Sequence, residues 1–367
     1  MVDRDARPNY HHLRALDGLR ACAVLFVLVA HYGFSTIVPG GFGVTLFFFI
    51  SGFLITRLLL AEIQGAGSIS IGKFYIRRVL RLYPALVVAV ALSYGTYAYF
   101  QGFVIWKDVA AILLYVSNYY HGIIGFGSAY DPGFQHVIHV GVLWSLAVEE
   151  QYYLVFPVLF AFLAPRGPLF LRTLVGIAVA CLVLRIVLAL HGYGERNYGS
   201  TETRIDSILY GAILTTLLAG RNSRAWLEFF TRPLLVGVSL LVLLSTFAYR
   251  DTFFRDTFRF TVQGLALMPL VASALFSPSY AWLRRFLEWK PMLLLGAWSY
   301  SLYLFHQIAL TYAELATGEG YMNGFRSLSV QWYLIAVGGT FALACASYYL
   351  VERPFLSLRH RFGSKTS

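Results

Sequence analysis

The chain has 367 residues, of which 58% are hydrophobic, 17% aromatic and only 13% charged, with a mean hydropathy of +0.64. That composition excludes a water-soluble globule and puts most of the length in lipid. The formal charge of +11 reads as membrane orientation and attraction to anionic lipid or ligand, not as a nucleic-acid surface.

The N-terminal stretch MVDRDARPNYHHLRALDGLR has no short apolar core ending in a small-residue cleavage site, so no removable signal peptide is expected. Taking about 20 apolar residues as one crossing, ten spans are predicted: 16–36, 41–61, 82–101, 143–164, 173–191, 204–219, 234–249, 260–277, 292–313 and 330–350. The segment 108–120 is too short for an ordinary crossing and is read as re-entrant or interfacial. The expected fold class is therefore an all-α polytopic membrane protein with ten transmembrane helices plus that one segment. A single membrane domain over 1–367 is expected, with short cytoplasmic tails 1–15 and 351–367. With the N-terminus inside, 21 of the 29 basic residues fall on the inner face, seven outside and Arg185 within a span. This asymmetry sets the orientation, and counting 108–120 as a full crossing would spoil it. Cys22, Cys181 and Cys345 fall in apolar stretches without paired spacing, so they are read as packing residues and not as a disulfide or zinc framework.

Span one carries the most informative pair. Arg20 and His31 are eleven residues apart, a spacing that returns to nearly the same helix face about 16 Å along. An arginine at the inner edge then shares a stripe with a histidine near the midplane, where ionisable side chains are costly and line cavities or substrate paths. A hydrogen bond to a neighbouring helix is the plainer role for such a histidine. Gly40, Gly41 and Gly43 mark the turn into span two, since no strand precedes them to make a phosphate loop.

The run KFYIRRVLRLYP at 73–84 precedes span three on the inside. Arg78 and Arg81 share a helix face while Arg77 points elsewhere. Such a cluster serves as a positive-inside anchor or, because guanidinium forks match phosphate oxygens bidentately, as a phosphate clamp to which Arg20 would add. Pro84 is expected in the first turn of span three. His121, Asp131, His136 and His139 lie in one loop, but their spacing matches no standard ligand pattern and no metal is expected.

At the outer end of span four, LWSLAVEEQYYLVFP at 143–157 puts Glu149 and Glu150 deep in an apolar run. Trp144 and the tyrosines fit an aromatic belt, but a belt does not explain the carboxylates. A buried Glu beside a His orients it or raises its basicity, and Trp144 offers an apolar face to a sugar ring. Arg204 and Asp206 open span six as a candidate buried ion pair. His306 in span nine is a candidate structural hydrogen-bond partner or second cavity residue.

These phrases in this order resemble the acyltransferase-3 family: Leu16-Asp17-Gly18-Leu19 with Arg20-x10-His31, FFFISGFLIT at 47–56, RRxxR at 77–81, W-S-L-x-x-E at 144–149, WSYSLYLFH at 298–306, and Val351-Glu352-Arg353-Pro354-Phe355. The resemblance covers essentially the whole chain. It implies integral-membrane O-acylation of surface or exported carbohydrate, or in some members of macrolides, with acyl-CoA as donor and acetyl-CoA the simplest case. Some members append an extracytoplasmic esterase-like domain; only a short tail follows span ten, so the expectation is action alone or with a separate partner.

The resemblance and the chemistry converge. A thioester donor inside and an acceptor hydroxyl outside need a proton acceptor or acyl carrier near the midplane, and histidine serves near neutral pH. The expected assignment is His31 and Glu149 as catalytic residues, and Arg20, Arg78 and Arg81 as binders of the donor phosphates. Trp144, Ser145, Arg204, Asp206 and His306 line the acceptor cavity, and no metal or permanently bound cofactor is expected. Partners are acyl-CoA, a carbohydrate or glycolipid acceptor and membrane lipid, in the cytoplasmic (inner) membrane of a bacterium with both termini cytoplasmic. The competing class is a polyprenyl-sugar or exopolysaccharide transporter, but no internal repeat and no matched pair of Gly/Pro-broken spans is visible.

Overall fold

The structure is a computed structural model; it describes residues 13–124, 140–320 and 324–358, and of 122–124 the backbone alone. Every regular element among the described residues is helical: α1 Ala15–Val29 with a π-helical turn Ala30–Phe34, α2 Gly40–Ala66, α3 Ile71–Gln101, α4 Trp106–Leu113, α5 Ser117–Ile124, α6 Trp144–Leu163, α7 Pro168–Leu190, α8 Thr201–Ala219, α9 Ser223–Phe230, α10 Pro233–Ala248, α11 Thr252–Asp256, α12 Phe258–Phe276, α13 Ala281–Leu287, α14 Lys290–Thr317, α15 Val330–Ser347 with a π-helical turn Tyr348–Glu352, and α16 Arg353–Leu358. Helices are what a lipid-immersed chain without sheet partners must form, because each closes its backbone hydrogen bonds internally.

Each of the ten predicted spans falls on a helix. Among the described residues, however, seven helices are long and apolar enough to cross a membrane, or eight if α9 and α10, bent by 59° at their junction, make one span. The count of ten is thus not reached on length and apolarity alone. The α8 helix carries Glu202, Arg204 and Asp206 in its first turns, α10 has 16 residues, and α14 is interrupted by Ser299, Ser301, His306 and Gln307. Segment 108–120 is two eight-residue helices, α4 and α5, hinged near Tyr115 at φ 55°. Neither is long enough to span. The α3 helix starts at Ile71, so Arg77, Arg78 and Arg81 lie inside one 31-residue helix and Pro84 is an interior residue. The first-turn position expected for Pro84 is corrected, because the helix-forming run IGKFYIRRVLRLY extends the helix upstream of the apolar stretch.

The chain divides into two compact units, Met1–Ala23, Val44–Ile69 and Gln151–Gly296 in one, Val24–Gly43, Ser70–Glu150 and Ala297–Ser367 in the other. In the first, α7 packs on α8, α8 on α12 and α12 on α10. Glycines set its closest approach: a Cβ on Gly52 of α2 would lie 1.8 Å from the Ile208 carbonyl oxygen, and one on Gly211 of α8 1.9 Å from that of Phe49. Small residues are what allow helix backbones to meet in a bilayer. In the second, α3 packs against α4, α16 and the turn Tyr348–Glu352, where Ser301 donates to the Glu352 carboxylate.

Candidate active site

His31 sits in the π-helical turn that ends the first span. The turn breaks at Gly33, whose φ of +91° is left-handed and favours glycine, and a Cβ there would be 2.8 Å from the Phe325 nitrogen. Phe34 stacks on Phe325 with ring centroids 4.8 Å apart, and Tyr333 donates to the Tyr32 carbonyl at 3.1 Å, which together clamp the turn. Such π insertions concentrate at functional positions. His31 Nδ1 lies 2.9 Å from the Val27 carbonyl. It therefore donates, which in the neutral ring leaves Nε2 as the basic nitrogen.

The His306 ring lies 5.1 Å from that of His31, centroid to centroid. His306 is fully buried on α14. Its Nδ1 donates to the Tyr303 carbonyl at 2.7 Å and its Nε2 accepts from the Gln307 amide at 3.0 Å, an arrangement that holds it as the neutral ring. One turn back, the Tyr303 hydroxyl donates to the Val142 carbonyl at 2.8 Å and meets Ser145 Oγ at 2.6 Å. The structure thus joins His31, His306, Tyr303 and Ser145, with Trp144 half-buried beside Ser145 at the start of α6. Sequence reading named His306 and Ser145 but missed Tyr303 and Gln307; the signal was their place beside His306 on one helix.

A second polar group collects in the same unit. Glu150 is within electrostatic reach of Glu149, Arg78 and Arg81, and Tyr115 and Tyr300 are both within reach of the two carboxylates. The Tyr300 hydroxyl donates to the Leu82 carbonyl at 2.7 Å, and the Arg78 guanidinium rests 5.4 Å from the Phe74 ring centroid. The carboxylates expected beside His31 near one face thus lie with the arginines expected at the other. Helix rise accounts for it: Arg81 is about 15 Å into α3 and Glu150 about 14 Å into its own helical stretch from Gly141, so both reach the interior from opposite ends. Arg20, in the other unit, has Asp17 one turn away at 3.8 Å.

Asp206 lies within electrostatic reach of Arg204, but its salt bridge is to another helix. Asp206 is bound by Arg185 of α7, Nη2 to Oδ2 at 2.7 Å, with both side chains fully buried. Arg204 also reaches Thr45 Oγ1 at 3.2 Å and packs its guanidinium 3.7 Å from the Phe260 ring centroid.

The described residues hold no group of three or more metal-ligating side chains. Asp131, His136 and His139 lie outside the described residues, while His121 donates from Nε2 to Asp108 at 2.5 Å and Asp108 also accepts from Tyr94. The three cysteines are free thiols, Cys181 buried and the others half-buried.

A family model described as "Acyltransferase domain" matches residues 13–349. The chain is 31% identical over 370 residues to "O-acetyltransferase OatA" of Staphylococcus aureus (strain NCTC 8325 / PS 47), covering 95% of this chain and 57% of the relative. It is 28% identical over 369 residues to "Peptidoglycan O-acetyltransferase OatA" of Listeria monocytogenes serovar 1/2a, covering 96% and 57%. The chain therefore spans little more than half the length of these relatives. No solved structure gives a significant match. The family match over almost the whole chain, on a helical scaffold that sets His31 against His306, identifies the chain as a member of the acyltransferase-3 family.

Proposed function

We propose that this chain is a membrane-embedded O-acyltransferase that moves an acetyl group from cytoplasmic acetyl-CoA to a hydroxyl of a surface glycan. The observation that carries the reading is the oriented His31 ring, its Nδ1 proton committed to the Val27 carbonyl and its centroid 5.1 Å from that of His306. The His31 Nε2 takes the proton of the acceptor hydroxyl as that oxygen attacks the thioester carbonyl. The C–S bond breaks, the coenzyme leaves as thiolate, and the proton returns to sulfur. Acetyl-CoA and alcohol become ester and free coenzyme, with atoms and charge balanced.

Arg78 and Arg81 hold the donor's phosphates, which cannot stay unpaired in a low-dielectric mouth. Glu149 and Glu150 keep those guanidinium groups oriented, and Trp144 and Ser145 border the acceptor's sugar. The Listeria relative carries peptidoglycan in its name, and a wall glycan of that class is the acceptor proposed here, with the enzyme in the cytoplasmic membrane and both termini inside.

The test uses sealed vesicles carrying the full chain, labelled acetyl-CoA enclosed and glycan outside. Label recovered on the external glycan as an alkali-labile ester supports the reading. An intact, correctly inserted protein that yields no ester on any glycan overturns it.

A further inference from the structure

The hairpin of α4 and α5 is tied to α3 at one level and meets it again at a second. At the first level Asp108 of α4, buried, accepts from two partners: the Tyr94 hydroxyl of α3 and, at 2.5 Å, Nε2 of His121 on α5. One buried carboxylate, satisfied through both its oxygens, thereby joins all three helices. At the second level Tyr115, between α4 and α5, packs edge to face against Tyr83 of α3 with ring centroids 6.4 Å apart. Tyr83 precedes Tyr94 by eleven residues, about 16 Å of helix. The α4 helix therefore runs back along α3, and α5 returns to Asp108 at His121. All of these residues lie in one compact unit.

The hairpin tip arrives at the arginine and carboxylate cluster. Tyr83 stands two residues beyond Arg81, and Tyr115 is within electrostatic reach of Glu149, Glu150 and Tyr83. Glu150 is in turn within reach of Arg78 and Arg81, and Tyr300 within reach of Tyr115 and both carboxylates. The cluster is thus walled by α3, α6, α14 and the hairpin, and the Tyr300 hydroxyl is committed to the Leu82 carbonyl at 2.7 Å. Among the described residues Tyr115 is the one non-glycine residue with a positive φ, 55°. That conformation costs free energy in a residue with a Cβ and persists only where the surroundings hold it. Glycine would meet the backbone demand without strain, so a tyrosine there points to a role for its side chain.

We propose that Tyr115, carried in by the α4–α5 hairpin, is a binding residue of the donor site, its hydroxyl donating to a phosphate oxygen of the acyl-CoA held by Arg78 and Arg81. The identity of the donor rests on the acyl-transfer reading, whereas the reach of the hairpin to the cluster does not. A phenol adds a hydrogen-bond donor without adding charge, where Arg78 and Arg81 already face Glu149 and Glu150. Asp108 is a positioning residue that acts through Tyr115: with Tyr94 and His121 it fixes where the hairpin sits along α3, and so where the hydroxyl stands.

The test has two arms on the full chain. In detergent, coenzyme A is titrated at equilibrium. Tyr115→Phe, which keeps the ring, should raise the dissociation constant by about tenfold, the worth of one hydrogen bond to a charged group, while Tyr99→Phe, on the exposed end of α3, serves as the unchanged control. An affinity unchanged in Tyr115→Phe overturns the binding role. Asp108→Asn should also weaken coenzyme A binding, although it stands about 10 Å of helix from the tip, and should add little in the Tyr115→Phe background; full additivity of the two overturns the positioning role. Should Asp108→Asn unfold, Tyr94→Phe, which removes one of the two bonds to Asp108, takes its place under the same criterion. In the second arm, sealed vesicles carry a background lacking Cys22, Cys181 and Cys345. Tyr115→Cys should react with an impermeant thiol reagent from the side that labels Lys73→Cys at the start of α3, and coenzyme A should slow the reaction. No reaction from that side, or a rate that bound coenzyme A leaves unchanged, overturns the proposal. If wild type binds no coenzyme A, the donor reading fails, while the side from which Tyr115→Cys reacts still judges the reach of the hairpin.

Discussion

Replacing Gly211 by alanine should unseat the α2–α8 crossing that supports Arg204. The new Cβ would lie 1.9 Å from the Phe49 carbonyl oxygen, where ordinary contact begins at 3.4 Å, so the two backbones must part by about 1.5 Å. The Arg204 Nη2 to Thr45 Oγ1 bond joins the same two helices and starts at 3.2 Å. A separation of that size takes it beyond hydrogen-bond range. Overpacking costs about 1–3 kcal/mol, and loss of a bond to a charged group adds about 1.5 kcal/mol or more. A net destabilisation of about 3 kcal/mol is therefore expected, read as a lowered unfolding midpoint by tryptophan fluorescence in detergent. Gly176→Ala on α7 is the control: nothing lies within 4 Å of its Cβ position, so only the helix-propensity gain of up to about 1 kcal/mol operates. If Gly211→Ala melts with the control, the close helix approach is not what holds this unit together.

Arg185→Met should cost about 3–5 kcal/mol because it strands the Asp206 carboxylate in the interior. The double variant Arg185→Met/Asp206→Leu should recover much of that, and a double variant no better than the single, by thermal unfolding, contradicts the pairing. Alanine at Arg78 or Arg81 should weaken coenzyme A binding by roughly tenfold or more in equilibrium titration, with lysine restoring only part of it since it lacks the fork; unchanged affinity in both alanine variants would leave the arginines as membrane anchors. In a background lacking Cys22, Cys181 and Cys345, cysteines at Ser68 and Glu195 should react with an impermeant thiol reagent from the inside and the outside respectively, and labelling of both from one side would break the charge-based orientation.

What could be read without coordinates was whatever lies within one helix. The RRxxR cluster needs only its three-residue spacing, and all of it lies on α3. Pro84 and the α3 boundary were misjudged because apolar length marks where lipid begins and not where a helix begins: α3 starts at Ile71, eleven residues before the apolar run. Partners distant in sequence were not legible. Glu150 and Arg81 are far apart in the chain and approach from opposite helix ends, and Asp206 took Arg185 from the preceding helix although Arg204 was its nearer neighbour in sequence. The π turn at His31 was hidden as well. Gly33 is an unremarked glycine until its φ of +91° shows that the helix must break there.

The central claim is that the His31 Nε2 performs the transfer, and its most direct measurement is the rate of acetyl transfer by His31→Ala against wild type at equal, verified membrane insertion. Removal of the group that moves the proton should lower the rate by at least about 100-fold, while coenzyme A binding through Arg78 and Arg81 persists. A properly inserted His31→Ala protein that still transfers acetyl groups at close to the wild-type rate would contradict the account.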